Sequence, residues 1–395
     1  MPVFPKFLQD NNAGGSLALG LLLSSFSLTQ AIFSPIYGRL SDKQVGRKFF
    51  ILLAMGGYAV GNLLYVYVAH DLPSMLVVRV FEGMVIAGLL PSSQALVTDL
   101  SKPSNRGRLL GVLSGIYMVG WIVGPFFGGL LYDLGGYAFP FLFSALAAGL
   151  GFLVALFFVP ETRGVEKPPP LPTVPILTSA SRWRAWHPSN LSTFFIPGGM
   201  VVFAALTYIN FVDYLSWAIL EPGVSFYVYD ELGFSPTDFG LFIASYGLAV
   251  AVFQLLLGGL SDKVGRRLVL AAGGVVHFAG YFVLLFANSF LTFILFAMLA
   301  GVAVALIQPS LIAFVGDVTA SDHRGQVMGL LGSVVQLAGV IGPVGGGYLA
   351  ELFPVTLLFW ISALLSVTIT AVIILTPTPT RPLPPTGLFE TPSRT

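Results

Sequence analysis

Gly38-Arg39-Leu40-Ser41-Asp42-Lys43-Gln44-Val45-Gly46-Arg47-Lys48 comes back later in the chain, one residue shorter, as Gly258-Gly259-Leu260-Ser261-Asp262-Lys263-Val264-Gly265-Arg266-Arg267. Both are short polar loops between long apolar runs, and the likeness spreads outward from them. Gly20 recurs as Gly240 at the offset of 220 that also relates Asp42 to Asp262. Further on, Gly83, Pro91, Asp99, Arg106, Gly124, Pro125, Gly128 and Gly129 recur 218 positions later, as Gly301, Pro309, Asp317, Arg324, Gly342, Pro343, Gly346 and Gly347. Ser144-Ala145-Leu146 matches Ser362-Ala363-Leu364 in the same register. Chance gives a few such matches but does not hold them in register, so the chain is an internal duplication.

The repeated unit is apolar. Of 395 residues, 55% are hydrophobic and 9% are charged, against about 25% charged in an ordinary soluble domain. So little charge cannot clothe a soluble core. Apolar segments fall at 15–38, 49–69, 73–98, 107–131, 137–160, 196–220, 235–258, 268–288, 290–316, 325–350 and 354–376. Each is near the ~20 residues that carry a helix across ~30 Å of hydrocarbon. Backbone polar groups in lipid must be satisfied within the segment, and no alternating barrel pattern is present, so these segments are expected to be helices. The expected fold is an all-α integral membrane protein of two pseudo-symmetric helical bundles, related as parallel repeats about an axis along the membrane normal.

The bundles are expected at 1–160 and 193–376. Between them, 161–192 holds Pro168-Pro169-Pro170, Pro172 and Pro175 and reads as a solvated linker. Residues 377–395 read as a disordered, Pro/Thr-rich tail. With the loops assigned alternately to the two sides, all 19 lysines and arginines except Lys6 and Arg79 fall on one side. The positive-inside rule makes that side cytoplasmic and puts the linker and the C-terminus there. The expected location is the cell membrane, crossed many times. The second half opens with the segment 196–220, whose counterpart would precede Met1, since Pro2 aligns with Pro222. The full pattern is therefore expected to have twelve helices, of which this chain displays eleven.

Several chemistries are unsupported. A net charge of +1 gives no reason to expect nucleic acid, and the absence of Cys removes disulfides and thiolate sites. No phosphate-binding loop of the form G-x-x-x-x-G-K-S/T occurs. No cofactor and no metal are expected, and the chain does not read as an enzyme.

The two loops resemble the signature loop of the major facilitator superfamily, G-x-L-a-D-r-x-G-r-k, and the resemblance covers nearly the whole chain. It implies a cytoplasmic gate built from Gly38, Asp42, Gly46, Arg47, Asp99 and Arg106 in the first half. The second half would supply Gly258, Asp262, Gly265, Arg266, Asp317 and Arg324. Such a network would hold the inward side closed, with Asp42 near a helix N-terminus and Arg47 paired to Asp99. Gly120, Gly124, Pro125, Gly128 and Gly129 resemble a fifth-helix motif found mainly in the superfamily's antiporters, where small residues permit close helix contact. Arg79-Val80-Phe81-Glu82-Gly83 resembles its fourth-helix motif, often associated with proton coupling. Val159-Pro160-Glu161-Thr162-Arg163 also resembles a signature of sugar carriers.

Ionisable groups inside a membrane helix are costly and face the protein interior or a wet cavity. Arg79 and Glu82 are three residues apart and share a helix face. Asp213 is the other intramembrane acid, expected near the outer end of its helix. These three, with Gln254, Gln308 and Gln336, are the candidates for substrate binding and proton coupling. Gln94 is a further candidate hydrogen-bonding group, and Tyr58, Tyr117, Trp121 and Tyr246 are candidate cavity aromatics. His277, on an apolar helix, reads as a packed polar residue.

The resemblance implies secondary active transport by alternating access, most like the drug–proton antiporters: efflux of amphipathic drug-like compounds in exchange for protons, by a monomer in the bilayer. An uptake symporter or facilitator for sugars or organic acids is the alternative. A transport-inactive relative serving as sensor or partner is the second.

Overall fold

The computed structural model describes residues 3–43, 46–102, 104–162, 194–320 and 323–377, and of Asp42 and Lys43 the backbone only. Most of the linker 161–192 and of the tail 377–395 lies outside the described residues.

The first half contains α1 (Val3–Asp10), α2 (Ser16–Lys43), α3 (Arg47–Tyr67), α4 (Leu72–Ile86), α5 (Leu89–Leu100), α6 (Arg106–Gly135) and α7 (Ala138–Phe158). The second contains α8 (Gly199–Asp230), α9 (Pro236–Leu257), α10 (Leu260–Val264), α11 (Arg266–Leu284), α12 (Phe290–Val318), α13 (Arg324–Leu352) and α14 (Val355–Leu375). Eleven spans are long and apolar enough to cross a membrane, with α4 and α5 forming one of them. Among the described residues there is no strand, only an isolated bridge between Phe195 and Thr319. The duplication reaches the caps. The Asp71/Ser74 capping box that starts α4 recurs 218 residues on as Ser289/Thr292 at the start of α12.

One boundary departs from expectation. The segment placed at 196–220 continues as helix to Asp230. Glu221-Pro222-Gly223 reads as a helix end, because proline removes one backbone hydrogen bond. Yet Val224, Val228 and Tyr229 are buried in the second half's core, and Phe226 packs on the core of the first. That packing, with helical bonding on both sides of Pro222, outweighs one missing bond. Asp213 therefore stands in mid-helix, and it is buried rather than set in a wet vestibule. By the same offset of 220, α1 corresponds to Gly223–Asp230, the last two turns of α8.

The halves meet through α2 against α13 and α6 against α9. These crossings are copies of each other. A Cβ on Gly129 would lie 2.9 Å from Thr237 Cα, and one on Gly347 would lie 2.9 Å from Leu17 Cα. In return, Gly240 faces the Pro125 carbonyl and Gly20 faces that of Pro343. The glycines thus let backbone touch backbone. All these contacts sit at the ends of α6 and α13 remote from the signature loops. At the loop ends, Gly107, Gly111 and Gly115 of α6 and Gly325, Gly329 and Gly332 of α13 have nothing within 4 Å of a built Cβ. The molecule is therefore shut on the side away from the basic loops and open on the basic side.

Candidate functional site

Each signature loop folds around its arginine. Arg47 donates from Nε to Asp99 at 3.2 Å and from Nη1 to Ser41 Oγ at 3.0 Å. Arg266 repeats this with Asp317 at 3.1 Å and Ser261 at 2.7 Å, and it also pairs with Asp262 at 2.5 Å. Gly46 has φ 98° and Gly265 φ 103°, where a side chain would be strained. In the first half Glu161 completes the turn by accepting the backbone N–H groups of Arg47 and Lys48 at 3.0 and 3.2 Å. It thereby caps the start of α3. Thr162 donates to Asp99 at 3.1 Å, so the stretch that resembles a sugar-carrier signature serves here to brace the loop.

Every partner just named lies in the same half as its arginine. Among the described residues no ion pair joins Arg106 or Arg324, at the starts of α6 and α13, to either network, and the Asp42 side chain lies outside the described residues.

Two buried polar clusters stand deeper. In the first half, Arg79 and Glu82 form an ion pair at 3.1 Å with side chains 11% and 2% exposed. Glu82 also accepts from Tyr65 Oη at 3.2 Å and from Asn62 Nδ2 at 3.4 Å. The Arg79 guanidinium lies between the rings of Phe4 and Phe26, 4.3 and 4.7 Å from their centroids. Three donors and two aromatic faces make this carboxylate and guanidinium bearable in an apolar setting.

In the second half, Asp213 accepts from Gln308 Nε2 at 3.1 Å, and the same amide nitrogen donates to Asn210 Oδ1 at 3.0 Å. The other oxygen of Asp213 faces His277 Nδ1 at 3.2 Å. The structure thus brings Asp213 and Gln308 together and adds two residues that sequence reasoning missed. No hydrogen bond among the described residues joins Gln254 or Gln336 to either cluster. Gln254 and Gln94 are exposed.

Arg79 and Glu82 line a cavity of about 590 Å³. Its walls include Tyr58, Tyr117 and Trp121, while Tyr246 stacks on Trp217 elsewhere. Gly120, Gly124, Pro125 and Gly128 of the antiporter-like motif line it too. The duplication shows what occupies the matching place in the second half. Tyr58, Trp121, Gly124 and Ser144 on its walls match His277, Gly339, Gly342 and Ser362 in the second half. There these four positions are covered by Asp213, Tyr214, Ala218 and Ser216 of α8. The cavity is the first half's counterpart of the space that α8 fills in the second. Accordingly only Gly129 and Tyr132 of α6 are buried, against eight residues of its counterpart α13.

The profile of the Major Facilitator Superfamily matches residues 1–212 and again 207–394. The chain belongs to the Major Facilitator Superfamily. It is a multi-pass membrane transporter and not an enzyme. Among similar chains is the quinolone resistance protein NorA of Staphylococcus aureus, 25% identical over 89% of this chain and 85% of its own length. The class C tetracycline resistance protein of Escherichia coli is 29% identical over 87% of this chain and 83% of its own. The fold is shared with the human organic anion transporter MFSD10, with TM-score 0.63, 22% identity and coverage of 93% and 87%. It is also shared with a bacterial homolog of the lysosomal transporter Spinster, solved inward-facing and unoccupied, with TM-score 0.68, 16% identity and coverage of 95% and 91%.

Glu221 is a further buried acid of this superfamily member, and it too was missed. The signal that could have found it was the apolar pattern from Val224 to Val228, which carries α8 past Pro222. For His277 the signal was its match to Tyr58 across the duplication.

Proposed function

We propose that this transporter exchanges protons for amphipathic, drug-like compounds by rocking its two halves about the shared crossings, as an efflux antiporter of the cell membrane. The basic side is then cytoplasmic, and the open cleft is the loading state. A monomer is sufficient, because both halves and the cleft between them come from one chain.

One observation carries the reading: a buried carboxylate, Glu82, paired with a buried arginine on the wall of an aromatic cavity. Aromatic walls and a single acid suit an amphipathic compound bearing positive charge. The same acid can hold a proton when the compound is absent, which ties the two ligands to one group. Asp213 is the matching acid of the second half. The two resistance proteins among the relatives support this class of substrate. The uptake reading leaned on Val159–Arg163, whose Glu161 and Thr162 have a structural use that says nothing of substrate.

The test is proton movement in energised inside-out vesicles challenged with lipophilic cations, neutral drugs, sugars and organic acids. Proton release triggered by a lipophilic cation, and lost in Glu82→Gln, is the expected result. Sugar or acid exchange that ignores the gradient would overturn antiport. No movement of any compound would favour a transport-inactive relative.

A further inference from the structure

Asp213 on α8 and His277 on α11 are 7% and 3% exposed and sit in mid-span. Asp213 Oδ1 and His277 Nδ1 are each shielded from solvent, and neither has a hydrogen-bond partner among the described residues. They face one another at 3.2 Å. The remaining groups around them are neutral. Gln308 on α12 and Asn210 on α8 fix Oδ2 of the carboxylate through one shared amide. The phenols of Tyr246 on α9 and Tyr281 on α11 lie within electrostatic range of Asp213, and the Tyr281 ring packs 4.8 Å from the imidazole. From α13, Gly339 closes on Tyr214, and from α14, Ser362 donates to the Ser216 carbonyl. The only charged residues of α13, Arg324 and Glu351, are at its ends, and α14 has none. On α8 itself Glu221 stands two turns on, beyond Tyr214.

A carboxylate so enclosed, with no fixed cation beside it, is an unbalanced buried charge. One proton on the imidazole converts the group to a neutral ion pair across the 3.2 Å approach of Nδ1 to Oδ1. We infer that Asp213 and His277 form the proton-binding site of the second half, in which the His277 ring takes up the proton and Asp213 balances its charge. Gln308 and Asn210 are positioning residues that hold the carboxylate toward the ring. The site is not a copy of the first half's cluster. His277 matches Tyr58, which lies near Glu82, but the acids come from different helices, and Ala300 stands where Glu82 would repeat. The halves therefore carry two unlike proton sites. The use of this proton in transport rests on the antiport reading; its binding here does not.

The test separates the two. The chain has four histidines, so replacing His70, His187 and His323 by Gln leaves His277 alone. Difference infrared spectroscopy of this purified, reconstituted protein with ring-labelled histidine is recorded between about pH 5 and 8. An imidazolium signal that is altered by Asp213→Asn and weakened by Gln308→Ala is expected. A histidine that never protonates in this range, or a signal indifferent to Asp213→Asn, overturns the site. In a second arm, vesicles are loaded with tetraphenylphosphonium. His277→Gln is expected to lower gradient-driven accumulation about tenfold more than it lowers exchange of labelled for unlabelled cation. Equal loss of both would make His277 structural. Failure of the parent protein to couple the cation to protons would sink antiport and leave the infrared result to decide the site.

Discussion

Thr237 donates its backbone N–H to the Asp133 carboxylate at 2.9 Å and so ties the start of α9 to the end of α6 in the other half. Leu17 donates likewise to Glu351 at 3.1 Å, tying the start of α2 to the end of α13. Leu17 and Thr237 are related by the offset of 220, and Asp133 and Glu351 by 218. Each carboxylate satisfies an N-terminal donor of a helix that belongs to its neighbour. The two contacts are latches on the closed side. They must part whenever the halves rock the other way.

Removing a capping carboxylate costs about 1 kcal/mol, or roughly a fivefold shift in a two-state ratio. Asp133→Ala with Glu351→Ala is therefore expected to shift the population away from the basic-side-open state by about 20-fold or more. The native chain has no cysteine, so spin labels at Gly111→Cys and Gly329→Cys report the opening without background. A shorter distance should gain weight in the double variant. A distribution identical to that of the parent would show that the latches carry no energy.

The glycine crossings make a related prediction with the opposite control. Gly129→Leu and Gly347→Leu insert side chains where a Cβ already comes to 2.9 Å from a neighbouring Cα. Overpacking of this kind costs about 1–3 kcal/mol, and here it can be relieved by parting the halves. The variants are expected to expose that side, so that Ser16→Cys reacts with a membrane-impermeant maleimide several times faster than in the parent. Gly107→Leu, in open space on the other side, should leave that rate unchanged. Equal rates in all three would rule out the crossings as the closing contact.

How much of this was readable beforehand depends on the kind of signal. The eleven spans and the duplication came through because apolar length and register are properties of sequence alone. The end of α8 did not, since Glu221-Pro222-Gly223 imitates a terminator and only the burial of Val224 and Val228 overrules it. That single misplacement put Asp213 near the membrane surface and hid Glu221. Arg79 and Glu82 were legible because three residues along one helix make a pair with no help from the fold. His277 was not, because its partner is 64 residues earlier on another helix. Arg47 meets Asp99, and Arg266 meets Asp317 in the same way. Whether those networks bridge the halves or stay within them is a question of three-dimensional placement, and no spacing answers it.

The Arg79–Glu82 pair offers a prediction about stability that is separate from transport. Arg79→Ala leaves the Glu82 carboxylate buried with only Tyr65 and Asn62 as neutral donors. Stripping one partner from a buried pair costs about 3–5 kcal/mol. Glu82→Gln is milder, because its amide oxygen still accepts from both donors and the guanidinium remains between Phe4 and Phe26. A loss of about 1–2 kcal/mol is expected there. The double variant removes both charges, so its loss should fall short of the sum of the singles by about 1–3 kcal/mol. Unfolding of the four proteins in one detergent, at fixed salt and pH, measures this. Strict additivity would mean that the 3.1 Å contact contributes nothing. The guanidinium would then be held by its two aromatic neighbours alone, and Glu82 would be free to exchange its proton without reference to Arg79.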